Sequence, residues 1–110
     1  MDDFYRFFSI AGMGHCAQST YSPWYIAGAS QPLTNVSHGV PGFDDAKHNG
    51  LLALMRWVEN GTAPDSLVAT KYVDDNPSKG VYRQRTLCPF PKQAMYTSGN
   101  VSAASSWTCA

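Results

Sequence analysis

The stretch from residue 4 to residue 16 constrains the fold more than any other. It opens as an almost unbroken aromatic and apolar run and then breaks into Gly12-Met13-Gly14, directly before His15 and Cys16. The run predicts a strand buried on both faces of a parallel sheet. Open α/β sheets place functional side chains at the carboxyl ends of their strands. His15 is therefore either a site residue or a buried histidine that closes the strand.

The composition narrows the class of protein. The chain has 110 residues, and a hydrophobic content of 44% suits one small globular domain rather than a disordered segment. Eight Lys and Arg residues balance eight Asp and Glu residues without any basic block, so nucleic acid and membrane surfaces are poor partners. The acidic start at Asp2 and Asp3 differs from the basic start of a signal peptide.

Cysteines and glycosylation triplets favour a secreted protein. The chain has three cysteines, and an odd number in a secreted chain suggests pairing with a cysteine outside it. Three Asn-x-Ser/Thr triplets are candidate glycosylation sites, and they begin at Asn35, Asn60 and Asn100. We therefore expect the chain to be the tail end of a longer secreted protein.

A long stretch without a clear period covers residues 17–42. Loops of this length in compact domains are usually functional or packed against another part of the protein. Its aromatic residues Tyr21, Trp24 and Tyr25 either line a pocket for a flat substrate or hold the loop against the body of the protein, and general burial statistics favour the second reading. His38 in this stretch is expected to be solvated.

Residues 45–60 are predicted to form a helix. Asp44 or Asp45 supplies the N-cap, and Gly61 stands at the position of a C-terminal cap. The apolar stripe has helical spacing and consists of Leu51, Leu54, Met55 and Val58. His48 lies off this stripe and is expected to be solvated.

Two strands are predicted after the helix. Residues 67–73 and 81–87 flank a turn-forming cluster at 74–80, so the two segments should pair as an antiparallel hairpin or ribbon. Pro89 and Pro91 end the second strand. The tail from Met95 to Ala110 is polar overall, and Trp107 is expected to be its large apolar anchor.

Several blocks of the chain resemble the C-terminal portion of the tannase and feruloyl esterase family, which consists of secreted, mainly fungal α/β-hydrolases. The blocks are DFYRFF at 3–8, GMGHC at 12–16, LMRWVENGTAPD at 54–65, ATKY at 69–72 and RTLCPFP at 85–91. The resemblance implies an α/β fold in which residues 1–110 form the C-terminal part of the catalytic domain. That part would contain the last core strand, the loop of the catalytic histidine, the last long helix and short antiparallel strands.

The resemblance also implies roles for individual residues. His15 matches the histidine of a Ser-His-Asp triad, and Cys16 matches a cysteine that is bridged to a cysteine beside the nucleophilic serine. Cys88 and Cys109 match a C-terminal disulfide, which would close a loop of about 21 residues and contribute roughly 3 kcal/mol in the chain-entropy model.

Other parts of such an enzyme do not occur in the sequence. No Gly-x-Ser-x-Gly or Cys-Ser-x-Gly-Gly segment is present, and the lid domain with the calcium site of the family is also missing, so no cofactor is expected in this chain. The triad acid should lie upstream, because the acidic candidates fit poorly; these are Asp2, Asp3, Asp44 and Asp45. Ala17 onward also departs from the Gly-rich pattern of many members.

The function implied by the resemblance is hydrolysis of hydroxycinnamic or gallic acid esters from plant cell walls or tannins. The partners would be the aromatic ester and the upstream remainder of the same polypeptide, and the location would be extracellular. We expect the isolated chain to be inactive because it lacks the nucleophile. Two alternatives stay open: a non-catalytic, disulfide-stabilised secreted module, and a truncated gene product that does not fold alone.

Overall fold

The computed structural model describes residues 2–14, 19–26 and 39–110. Its regular elements are helix α1 (Gly50–Asn60) and strands β1 (Leu67–Tyr72), β2 (Val81–Leu87), β3 (Ala94–Tyr96) and β4 (Trp107–Cys109). The strands form two antiparallel pairs, β1 with β2 and β3 with β4. The described chain is thus α/β, as predicted. Within these ranges no helix combines the length and the apolar character that crossing a bilayer requires.

Helix α1 ends where the sequence predicts but begins later. Gly61 adopts a left-handed conformation with φ of 70°, and its N–H donates to the carbonyl of Trp57, as expected of a glycine C-cap. At the other end, Asn49 is the N-cap, and its side-chain oxygen accepts hydrogen bonds from the N–H groups of Leu51 and Leu52. The predicted start at residue 45 is therefore wrong.

The physical reason lies in a separate turn before the helix. The Asp45 side chain accepts hydrogen bonds from the backbone N–H groups of Lys47 and His48, so it caps this turn instead of α1. The N–H of Gly50, the first residue of the helix, donates to the carbonyl of Ile26 at 3.0 Å. The helix start is thereby attached to the loop at 19–26.

The hairpin of β1 and β2 agrees with the prediction. Its register runs from the pair of Leu67 and Leu87 to the pair of Tyr72 and Val81, with one irregularity between Lys71 and Tyr72. Two short 3-10 turns fill the connection, at Val73–Asp75 and Pro77–Lys79. Strand β1 is buried along its whole length, which makes this hairpin the centre of the molecule.

The core consists of two small clusters of buried residues. One cluster lies between α1 and β1 and contains Ile26, Ala53, Leu67, Ala69 and Leu87. The other lies at the far end of β1 and contains Trp24, Tyr25, Val40 and Tyr72. Together they place the loop at 19–26 against the hairpin rather than at the surface.

The apolar stripe of α1 does not belong to the core of this chain. Leu54 is 54% exposed and Val58 is 79% exposed, and Leu51 and Met55 are also exposed. Ala53 is the buried residue of the helix, and it lies on the opposite side from the stripe. The helix is amphipathic as predicted, but the described residues do not cover its apolar stripe.

The aromatic run at the start of the chain also differs from the prediction. A single isolated bridge joins Phe8 to Pro89, and Phe4, Tyr5 and Phe7 are exposed. Burial on both faces is therefore wrong for this structure, because no strand among the described residues flanks the segment on both sides. Phe8 and Ile10 do pack against the core, so one face of this extended segment is covered.

The C-terminal tail forms a ribbon that the sequence interpretation did not assign to particular residues. Strand β3 pairs with β4, and the rings of Tyr96 and Trp107 meet edge to face at 5.5 Å. Cys88 and Cys109 form a disulfide. The bridge ties β4 to the end of β2, so the polar tail stays attached to the hairpin.

Candidate functional site

The extended segment at residues 5–10 leads directly to the predicted site. Side chains alternate along it, and Phe8 and Ile10 face the core while Phe7 is exposed. The backbone is held by a hydrogen bond from Phe90 N–H to Phe7 O at 2.8 Å. Arg6 donates to the carbonyl of Pro64 at 2.6 Å. These contacts fix the direction in which the chain reaches Gly12.

Gly12 makes a close turn at the end of this segment. Its φ is +80°, and a Cβ added to it would lie 2.4 Å from Ser22 Oγ. Only glycine avoids this clash and adopts this conformation without strain. Residues 12 and 22 are therefore in contact, and this contact brings together the two ends of the loop between them. His15 and Cys16, the predicted site residues, belong to this loop but lie outside the described residues, as does His38 in the next stretch.

An ionic cluster contacts the chain at the end of this loop, at Ser19, and just after it, at Trp24. The Lys71 ammonium lies 2.7 Å from an Asp75 carboxylate oxygen and 2.5 Å from the carbonyl oxygen of Ser19. The same Asp75 oxygen accepts a hydrogen bond from the indole N–H of Trp24 at 3.0 Å. Lys71 is only 5% exposed, and lysines are rarely buried to this extent unless they are paired.

Sequence reasoning missed this cluster. Trp24 and Asp75 are 51 residues apart in the chain, and no local pattern joins them. The usable signal is Lys71 itself, a charged residue within a strand that is otherwise apolar or small. Such a position predicts a buried partner for the charge, although it does not tell which residue provides it.

Aromatic residues pack around the ionic cluster. The rings of Trp24 and Tyr25 lie 4.0 Å apart, and those of Tyr25 and Tyr72 meet edge to face at 4.8 Å. The hydroxyl of Tyr72 donates to the carbonyl of Pro41. Burial raises the pKa of Tyr72 and Tyr25, and the neighbouring Asp75 charge adds to the rise for Tyr25. Trp24 and Tyr25 thus hold the loop to the body of the protein, which was the favoured prediction for them.

Tyr21, the third aromatic residue of the loop, is exposed. It contributes nothing to the packing that buries its neighbours. The alternative of a substrate-binding aromatic therefore stays open for Tyr21 alone.

His48 is not a freely solvated residue. Its Nδ1 lies 2.8 Å from an Asp45 carboxylate oxygen, and its ring stacks on Phe43 with centroids 4.1 Å apart. Burial raises the pKa of Asp45, but the hydrogen bonds and the charge of His48 outweigh this effect and lower it below its usual value. Asp45 is thus committed to His48 and to its own turn.

The remaining acidic candidates and glycosylation sites are at the surface. Asp2, Asp3 and Asp44 are exposed. Asn60 and Asn100 are exposed as well, so both amides are accessible to modification. Asn35 lies outside the described residues.

Two of the cavities that described residues line adjoin the hairpin. The smaller has a volume of about 500 Å³ and is lined in part by Ser9, Ile10 and Ala11 on one side and Arg85 and Gln93 on another. The larger has about 740 Å³ and includes Lys47, His48, Gln84 and Lys92 in its wall. The smaller one opens beside the residues that lead to Gly12.

Among the residues that the structure describes, no three His, Cys, Asp or Glu side chains converge to hold a metal ion. The calcium site that the resemblance implies belongs to the lid domain outside this chain, and it stays a prediction.

Comparison with known proteins identifies relatives along the whole chain. The family model described as tannase and feruloyl esterase matches residues 1–110. Feruloyl esterase B of Aspergillus niger is 36% identical over 110 residues, which is 99% of this chain and 19% of the relative. An uncharacterized esterase of Xanthomonas campestris is 35% identical over 108 residues, which is 96% of this chain and 17% of the relative.

Solved structures of feruloyl esterases also match almost the whole chain. The crystal structure of feruloyl esterase B from Aspergillus oryzae superposes with a TM-score of 0.72 at 33% identity, covering 99% of this chain and 19% of that one. The chain thus spans about a fifth of the length of the relatives that it matches. Its fold is that of a part of these α/β-hydrolase structures, and the chain belongs to the tannase and feruloyl esterase family.

Proposed function

We propose that these 110 residues are the C-terminal part of the catalytic domain of a carboxylic ester hydrolase that cleaves esters of aromatic acids. The family match over residues 1–110 supports the class of reaction. The names of the relatives support feruloyl esters as substrates, and the family description supports gallate esters as the other choice.

The exposed apolar surface of the chain supports the part of this proposal that places it within a longer polypeptide. The aromatic side chains of Phe4, Tyr5 and Phe7 and the stripe of α1 with Leu54 and Val58 are open to solvent. Clusters of large exposed apolar side chains often mark interaction sites. Because the relatives are about five times longer, the upstream remainder of the same polypeptide is the natural occupant of both surfaces.

In the proposed mechanism His15 is the general base and acid. An upstream serine attacks the ester carbonyl, and His15 takes the serine proton and later donates it to the leaving alcohol. An upstream aspartate holds the imidazole in the required tautomer. Cys16 would form a disulfide with a cysteine beside that serine, which ties the two catalytic loops together and limits their relative movement.

The contacts around the loop fit this role. Gly12 and Ser22 close its ends, and the Lys71–Asp75 pair holds Ser19 and Trp24. A catalytic histidine needs a defined position, because a displacement of about 1 Å can reduce the rate by about 10²-fold.

The setting of the enzyme is also part of the proposal. The Cys88–Cys109 disulfide supports an extracellular location, with a signal peptide upstream, and exposed Asn60 and Asn100 are proposed glycosylation sites together with Asn35. Calcium would be held by the lid domain outside this chain.

Peptide mapping and kinetics test the proposal on the longer polypeptide that carries these residues. Non-reducing peptide mapping of the secreted protein should join Cys16 to a Cys-Ser peptide that does not occur in the 110 residues. Kinetics with methyl ferulate and methyl gallate should show a loss of kcat of about 10²- to 10⁴-fold for His15→Ala.

The matched control is His48→Ala, which removes a histidine that the structure assigns to a turn with Asp45. It should keep kcat within about twofold of the parent. A secreted species of 12.0 kDa with Cys16 unpaired, or a His15→Ala variant with full activity, would contradict the proposal and favour a non-catalytic module.

A further inference from the structure

The most unusual group outside the predicted site is the buried ammonium of Lys71. It lies on β1 at 5% exposure, among residues that otherwise form the core. A buried charge is strongly unfavourable without partners. The Lys71 ammonium donates to one carboxylate and one backbone carbonyl, from Asp75 and Ser19. Core packing at this position of β1 would not require a charged side chain, so the ion pair of Lys71 needs another explanation.

Asp75 is held in an unusual backbone conformation. Both Asp74 and Asp75 have positive φ, at 53° and 54°, in the left-handed region that few non-glycine residues adopt. Such conformations persist where the surroundings determine them, and they are frequent at functional sites. The two residues differ in their partners: Asp74 pairs with exposed Lys79, whereas Asp75 pairs with buried Lys71.

One oxygen of Asp75 connects the hairpin to the loop at two points. It accepts from the Trp24 indole at 3.0 Å and from the Lys71 ammonium at 2.7 Å, and that ammonium donates to Ser19 O. Ser19 precedes Ser22 by three positions, and Ser22 contacts Gly12. The hairpin therefore fixes the loop on one side, and the Gly12 turn closes it on the other.

We propose that the Lys71–Asp75 pair is a positioning device that sets the loop carrying His15 and Cys16. The inference rests on the proposed function, because it concerns the same reaction. Ser19 follows His15 by four positions in the sequence, and it is the first described residue after the histidine. Neither Lys71 nor Asp75 touches the substrate, and both act through the loop.

The structure provides a closely matched pair of substitutions. Asp75→Asn keeps an oxygen acceptor for Trp24 and a residue that tolerates positive φ, but it removes the charge opposite Lys71. Asp74→Asn makes the same change at the adjacent residue, in the same backbone conformation, opposite exposed Lys79. The comparison separates the buried pair from general effects of the hairpin turn.

Kinetics on the longer esterase give the first result. For Asp75→Asn we expect kcat to fall by about tenfold or more while KM stays within about twofold, because the loop is misplaced relative to the reacting atoms. Asp74→Asn should leave both constants within about twofold. Lys71→Met should reproduce the loss, since it removes the donor to Ser19 and leaves the partly exposed Asp75 carboxylate without its ion-pair partner.

Two further measurements complement the kinetics, and the first of them does not depend on the proposed function. The indole N–H resonance of Trp24 should shift in Asp75→Asn and stay in place in Asp74→Asn. The double variant of Lys71→Met and Asp75→Asn should lose less activity than the product of the two single losses, because the residues act as one unit.

The outcomes are distinct. If Trp24 shifts in Asp75→Asn while kcat stays within twofold, the pair holds the loop without positioning the reaction, and the inference is overturned. If Asp75→Asn does not fold, Lys71→Met decides by the same criterion. If the parent protein does not hydrolyse either ester and His15→Ala changes nothing, the proposed function fails, whereas an unshifted Trp24 resonance contradicts the structural tie itself.

Discussion

The loop at 19–26 and helix α1 reverse the usual relation between regularity and burial. The loop has no regular structure, yet Pro23, Trp24, Tyr25 and Ile26 are all buried. The helix is the most regular element of the chain, yet most of its large apolar side chains are exposed. Polar contacts to the hairpin hold the loop, whereas the helix presents a face that the described residues do not cover. Burial here reflects what each segment contacts, not its secondary structure.

The largest expected effect tests the uncovered helix face. The double substitution Leu54→Gln and Val58→Gln should lower the free energy of unfolding of the longer esterase by about 3–5 kcal/mol, because two apolar side chains lose a buried environment. In the isolated 110-residue chain the same change should cost less than about 0.5 kcal/mol. Denaturant unfolding of both proteins measures the difference, and equal effects in the two would show that nothing covers the face.

An intermediate effect is expected where the two regions meet. Asn49→Ala removes the acceptor for two N–H groups at the start of α1, and we expect a loss of about 1–2 kcal/mol. Asn49→Ser retains an oxygen at the cap and should lose less. Thermal unfolding followed by circular dichroism measures both variants, and equal losses would mean that the cap hydrogen bonds do not stabilise the helix.

The smallest expected effect on stability concerns Tyr72, which packs against the loop at 19–26, and this effect depends on pH. Tyr72→Phe removes the hydrogen bond to Pro41 and should cost about 1 kcal/mol at neutral pH. Burial raises the pKa of Tyr72 above its ordinary value of 10.0, so the folded state favours the neutral phenol. Stability from this group is complete below about pH 10 and falls as the pH rises further, because the unfolded chain releases the proton first.

The phenylalanine variant lacks this loss, so the two unfolding curves should converge above about pH 10. Tyr82→Phe is the control, since Tyr82 is exposed on β2 of the same hairpin, and it should change stability by less than about 0.5 kcal/mol at neutral pH. A constant difference between Tyr72→Phe and the parent at all pH values would contradict the assigned cause.

The sequence predicts the parts of the fold that local chemistry determines. The end of α1 at Gly61 and the bounds of β2 follow from a glycine cap and from an alternating run between turn residues, and the structure confirms both. The start of α1 was predicted too early, because Asp45 is a genuine cap of a different turn. A capping residue indicates that some turn begins there, and it does not tell which one.

The candidate site shows where sequence reasoning ends. The role of His15 rests on the family resemblance, and it stays a prediction because the residue lies outside the described ranges. The Lys71–Asp75 pair and its contacts with Ser19 and Trp24 depend on segments brought together by the tertiary fold. Likewise, an apolar stripe indicates that one face of a helix is suited to burial. The spacing of the stripe does not tell which segment covers that face.

The extended segment at the start of the chain has a consequence for the order of folding. Its contacts reach far along the sequence: Phe90 N–H binds Phe7 O, and Arg6 binds the carbonyl of Pro64. During synthesis this segment leaves the ribosome long before residue 90 exists. Contacts between residues so distant in sequence form slowly, because the long intervening chain must first be ordered. Among the contacts within these 110 residues, those of this segment are therefore among the last to form.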